Sequence, residues 1–249
     1  MNLFTDLVQP YAAAAGAMLV VAMSVLIMVQ DSGARKRQAE GRLAGNWRHD
    51  NFILTIRQLW LLAAIALLAW ALSGNSFADM GLTLGSGWRV VASWIIVALI
   101  VAYMTFDFMR LVFSRQYREQ AFDQFEKAPD LDLVRPRTYR ECRTFQWAAI
   151  TAGITEEIVY RGFMITVLAA VLPEWAAALA AGALFVALHA YQGWLGMLKI
   201  AGITLVFTGL YLLGGSLLPV IVLHIFVDML AGGAFALMLN SRGTAQAAA

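Results

Sequence analysis

The sequence predicts an all-α, polytopic membrane helix bundle of about seven transmembrane helices surrounding a polar intramembrane site. Three observations lead there. Of the 249 residues, 61% are hydrophobic and 14% are charged, whereas soluble domains carry about 45–50% apolar and about 25% charged residues. Several apolar runs exceed the roughly 18 residues needed to cross a bilayer. Within three of these runs stand ionisable residues: Glu156, Glu157 and Arg161 in one, His189 in the next, His224 and Asp228 in the last. An ionisable side chain in hydrocarbon is costly enough to mark a functional site by default.

The spans read as Tyr11–Gln30, Phe52–Ser73, Trp88–Leu111, Phe145–Leu172, Trp175–Ala190, Gly196–Leu213 and Leu217–Leu239. Helices are expected because they satisfy their own backbone groups in lipid. The first ten residues lack the basic stretch of a cleavable signal, so the first run reads as a retained anchor. Basic residues set the orientation. Arg35, Lys36, Arg37, Arg42 and Arg48 follow the first span, and Arg115, Arg118, Lys127, Arg135, Arg137, Arg140 and Arg143 follow the third. Residues 74–87 hold no Lys or Arg. The expected topology places the N-terminus outside and the two basic loops and the C-terminus, with Arg242, in the cytoplasm. Between charges in the second basic loop, Phe113, Tyr117, Ala121 and Phe125 recur every four residues. That pattern fits an amphipathic surface helix or a solvated extension of the third span. One cysteine, Cys142, lies among the basic residues and cannot form an internal disulfide.

Within the fourth span, Glu157 and Arg161 are four residues apart and share a helix face. Glu156 turns away from Arg161 by roughly 140° and lies about 17 Å into the span from Phe145. It is the carboxylate left without a partner on its own helix. His224 and Asp228, also four apart, share a face of the last span. Tyr160 and Gln192 are further candidates for contact with the site or its substrate.

Glu156-Glu157-x-x-x-Arg161-Gly162, then Phe185-x-x-x-His189, then His224-x-x-x-Asp228, each in its own span, resembles the CAAX protease and bacteriocin-processing (CPBP, or Abi) family of intramembrane glutamic endopeptidases, to which the Rce1-type enzymes belong. The resemblance covers about Thr144 to Asn240. It divides the chain into N-terminal transmembrane helices with basic loops (1–143), a catalytic helical core (144–240) and a short Ala-rich tail (241–249). Eukaryotic relatives remove the last three residues of prenylated CAAX proteins. Bacterial relatives mature peptides, confer bacteriocin immunity or process sorting signals.

The resemblance implies that Glu156 activates water with help from His189. It implies that His224 and residue 228 stabilise the oxyanion, and that Glu157 and Arg161 hold the site together. It further implies a site without metal or cofactor. Many relatives carry Asn where this chain has Asp228. An Asn amide donates a hydrogen bond and an ionised Asp only accepts one, so Asp228 must either be protonated or orient His224 or another cation. The expected partners are membrane lipids and a peptide or protein substrate, C-terminal or membrane-anchored, with no nucleic acid. The Arg and Ala content points to a bacterial cytoplasmic membrane.

Other readings use the same residues. Glu156, His189, His224 and Asp228 are plausible zinc ligands of a membrane metalloprotease, although no His-Glu-x-x-His helix occurs. The chain could serve as a non-proteolytic membrane binding or immunity protein of the same fold. A proton-coupled transporter would also bury ionisable groups, but no inverted repeat is visible.

Overall fold

The computed structural model describes residues 9–43, 45–126 and 134–247, with side chains excluded at 124–126 and 242–247. Lys127 and the side chains of Phe125 and Arg242 therefore lie outside the described residues. Among the described residues the secondary structure is helical, joined by turns and loops, without a strand. In order it forms α1 (Gln9–Ala39), α2 (Trp47–Leu72), α3 (Trp88–Phe113), α4 (Arg115–Glu126), α5 (Tyr139–Glu156), a π-helical segment (Glu157–Met164), α6 (Ile165–Ala169), α7 (Glu174–Leu188), α8 (Gly193–Gly214) and α9 (Leu218–Ala247).

Five helices among the described residues are long and apolar enough to cross a membrane, which makes this an integral membrane protein. They correspond to α1, α2, α3, α8 with the turn before it, and α9 as far as Ser241. The other two predicted spans take different forms. The fourth is a composite rod of α5, the π segment and α6, and the fifth, α7, has 15 residues. Outward faces are apolar: Met18, Leu19 and Leu26 on α1 and Ile95, Leu99 and Phe106 on α3 are all exposed.

The rod begins six residues before the predicted start of the fourth span. Thr138 caps α5, its side-chain oxygen accepting from the Glu141 backbone N–H at 3.2 Å. Glu141 in turn accepts from the Arg137 backbone N–H at 2.7 Å. Cys142, expected in a loop, consequently lies buried in the first turn of α5. At the third span, the chain turns extended at Ser114 (φ −100°, ψ 111°), so α4 is a separate helix rather than a prolongation of α3.

Small residues bring the helices together, as expected where lipid supplies no hydrophobic drive between them. A Cβ at Gly153 of α5 would lie 2.8 Å from the Ile225 backbone nitrogen of α9. Nearer the end of the same pair, Phe145 is held edge-on between Phe52 of α2 and Phe235 of α9, with both centroid distances 5.7 Å. On α1, Gly16, Val20 and Ser24 are buried, and the helix packs along α2 and the rod.

Contacts between helix ends sort into two sets. At one end, Gln9 donates to the Ser73 carbonyl at 3.2 Å, Ser216 to the Thr83 carbonyl at 2.6 Å, and the Leu217 N–H to the Gly81 carbonyl at 2.8 Å. At the other, Arg35 donates to the Ala190 carbonyl at 3.3 Å and Tyr139 to Asn240 at 2.9 Å. The second set lies beside the basic segments.

Candidate functional site

The double-glutamate motif falls where the helical rod changes its winding. Glu156 closes α5 and Glu157 opens the π segment. Short π stretches within α-helices are frequent at functional sites. Threonines bracket this one: Thr155 donates to the Thr151 carbonyl at 2.8 Å and Thr166 to the Gly162 carbonyl at 2.5 Å. Such bonds to the carbonyl four residues back compete with the regular helix ladder and tend to bend it.

The two glutamates are partitioned. Glu157 is fully buried, and its Oε1 accepts from Arg161 Nη1 at 2.9 Å and from His224 Nδ1 at 2.6 Å. The first contact is the pair the sequence predicts. The second links α9 to the rod across 67 positions of sequence and is invisible in any local motif. The Arg161 guanidinium is also held between aromatic faces, 4.3 Å from the Phe185 ring centroid on α7 and 5.7 Å from Phe207 on α8. Arg161 thus ties the rod to α7 and α8, and Glu157 ties it to α9.

Glu156 points elsewhere. With Tyr160, His189, His224 and Asp228 it lines a cavity of about 350 Å³ walled mainly by apolar side chains. Its Oε2 lies 3.8 Å from His224 Nε2. Asp228 Oδ2 lies 3.6 Å from the same nitrogen. A carboxylate that accepts from Nδ1 fixes which ring nitrogen carries the donor, so His224 presents Nε2 toward Glu156 and Asp228. Its ring also leans on Phe207, centroid to centroid 5.2 Å.

His189 follows the last residue of α7. Its Nδ1 donates to the Phe185 carbonyl at 2.8 Å, and its ring sits 4.6 Å from the Phe185 ring. With Nδ1 committed as donor to a carbonyl, Nε2 of the neutral ring is an acceptor. Glu156 and His189 therefore face one space, each with proton-accepting capacity. Among the described residues, no set of three or more His, Cys, Asp or Glu side chains is arranged to hold a metal ion.

Of the two secondary candidates, Tyr160 and Gln192 both line the cavity. Tyr160 also shares a hydrogen bond of 3.0 Å with Ser24 of α1 and stacks edge-on with Phe185 at 5.2 Å. Ser24, Phe185 as a cation–π wall and Phe207 join the site only through the fold. Ser24 offered a signal of sorts, as a hydroxyl in an apolar span; the aromatics offered none, because Phe is ordinary in a membrane helix.

The cavity extends from Glu156 and Tyr160 to the end of the bundle that carries the basic segments, where Asp31 of α1, Asn51 of α2 and Gln192 contribute to its wall. Residues 141–230, which contain every motif residue, match the family model described as Type II CAAX prenyl endopeptidase Rce1-like. This match supports the CPBP/Rce1-like family that the motifs resemble. No curated protein and no solved structure matches the chain.

Proposed function

We propose that this chain, Rce1-like over its site-bearing helices, is an intramembrane glutamic endopeptidase in which Glu156 activates water with His189. The observation that supports this best is the division of labour between the adjacent glutamates. Glu157 is spent on Arg161 and His224, while Glu156 faces the cavity beside two imidazoles. A water between Glu156 and His189 would lose its proton to one of them as it attacks a peptide carbonyl. His224, with a proton on each ring nitrogen, donates from Nε2, and Asp228 donates from its carboxyl, to the carbonyl oxygen as negative charge develops on it. The proton passes to the leaving amine, and two peptide ends result. No step draws on a metal. Purified protein in detergent, given a pool of internally quenched peptides, should cleave, and cleavage should survive EDTA and 1,10-phenanthroline. Loss of activity with chelator, restored by zinc, would transfer the assignment to a metalloprotease.

Asp228 acts in this scheme as a donor. Glu157 already orients His224 through Nδ1, so a second carboxylate is not needed for that task. Asp228 is also more open to the cavity, its side chain 34% exposed against 9% for His224. A protonated Asp and an Asn amide both donate. Asp228→Asn should therefore keep most activity, and Asp228→Ala should lose about 10²–10³-fold, the usual cost of one oxyanion donor. An Asn variant as inactive as Ala, with both folded, would rule the donor role out.

For the membrane arrangement we propose seven crossings, with the rod and α7 completing the set. The two groups of end contacts fit strict alternation of seven crossings, since each contact joins ends that such a path leaves on one side. The basic segments then face the cytoplasm and the Gln9 end faces outward, in a bacterial cytoplasmic membrane. In a Cys142→Ser background, a cysteine replacing Gly41 should be labelled only from the cytoplasmic side, and one replacing Ser76 only from outside. Reversed labelling would invert the orientation and leave the site unchanged.

A further inference from the structure

We propose that Asp31 is a specificity-determining residue that receives a basic side chain, Lys or Arg, of the peptide substrate. The word substrate rests on the peptidase reading above; the residue rests on the geometry of α1. Most of α1 faces outward. Its inward stripe runs through Gly16, Val20, Ser24, Ile27 and Asp31 at helical spacing, and Asp31 is the acid on it. Asp31 lines the same cavity as Glu156 and His189. Among the described residues it has no hydrogen-bond or ion-pair partner. Arg35, one turn further along α1, donates instead to the Ala190 carbonyl. A carboxylate facing a mainly apolar cavity without a cation is in a costly place. A guest that brings a positive charge supplies the missing partner, and the pair gains from the low dielectric around it.

Position sets the register. Ser24 is bonded to Tyr160, one turn of the rod beyond Glu156. Asp31 lies seven residues further along α1, about 10 Å at 1.5 Å rise per residue. An extended peptide advances about 3.3 Å per residue. The basic side chain therefore belongs within about three residues of the bond cleaved, on the side of the basic loops. Residue 31 lies outside the region that matches the family model, so this preference belongs to this chain's own first helix.

The test reads binding rather than turnover. The full chain carrying Glu156→Gln, held in lipid nanodiscs, is offered N-acetylated decapeptide pools in which one position at a time is fixed as Lys, norleucine or Glu. At one position, Lys should be retained over norleucine by at least about tenfold, the scale of a close desolvated charge pair. Adding Asp31→Asn should remove that preference, and Asp31→Lys should turn it toward Glu. Equal retention of Lys and norleucine at every position would overturn the proposal. So would a Lys preference that persists in both Asp31 variants. Failure of the wild type to cleave would count against the peptidase reading alone, because this measurement requires no cleavage.

Discussion

Glu156→Gln is expected to lower the turnover number by about 10²–10⁴-fold, the range that a positioned general base contributes, with little change in thermal stability. The amide has the shape of the carboxyl and cannot take a proton at the operating pH. Stability should hold because Glu156 carries no structural bond of the kind that Glu157 does: its nearest charged partner, His224 Nε2, is 3.8 Å away. The check is single-turnover cleavage of a quenched peptide beside a melting curve in the same detergent. Activity equal to wild type would remove Glu156 from the chemistry.

Glu157 should respond in the opposite way, through the fold first. Its Oε1 accepts from both Arg161 and His224 inside a fully buried cluster. Removing one member of a buried pair leaves an uncompensated charge and costs about 3–5 kcal/mol. Glu157→Gln should therefore lower the unfolding midpoint sharply, and Arg161→Met should do the same. The double variant Glu157→Leu/Arg161→Met removes both charges and should regain much of the stability, as apolar replacements of buried ion pairs commonly do. It should not regain activity, because His224 then has no acceptor at Nδ1 to orient its ring. Recovery of cleavage in the double variant would show that Glu157 only stabilises and does not position His224.

The polar residues of the site were legible because each is conspicuous against apolar neighbours, and because helical spacing fixes which residues share a face. Glu157 beside Arg161 follows from a separation of four, as does Asp228 beside His224. Long-range pairing was not legible. The 2.6 Å contact between Glu157 and His224 depends on how α9 packs on the rod, and periodicity within either helix says nothing about it. The π segment was likewise hidden, since Thr155 and Thr166 look like ordinary small polar residues until their bonds to preceding carbonyls are seen. Asp31 is inconspicuous in the sequence for a related reason. At the end of an apolar run, next to a basic cluster, an acid looks like part of the solvated loop. Only the continuation of α1 to Ala39 shows that it remains on the inward face. Of the seven spans the sequence predicts, five are long and apolar enough among the described residues; α7 has 15 residues, and the rod is interrupted by the π segment.

The proposed role of Glu156 in cleaving peptide bonds within the membrane rests on its separation from the Glu157–Arg161–His224 cluster. It is tested most directly by comparing peptide ends in membranes from cells producing wild-type protein with those producing Glu156→Gln at equal abundance. The predicted result is a set of new termini present with wild type and absent with the variant. Identical sets of termini, with both proteins folded and inserted, would contradict it.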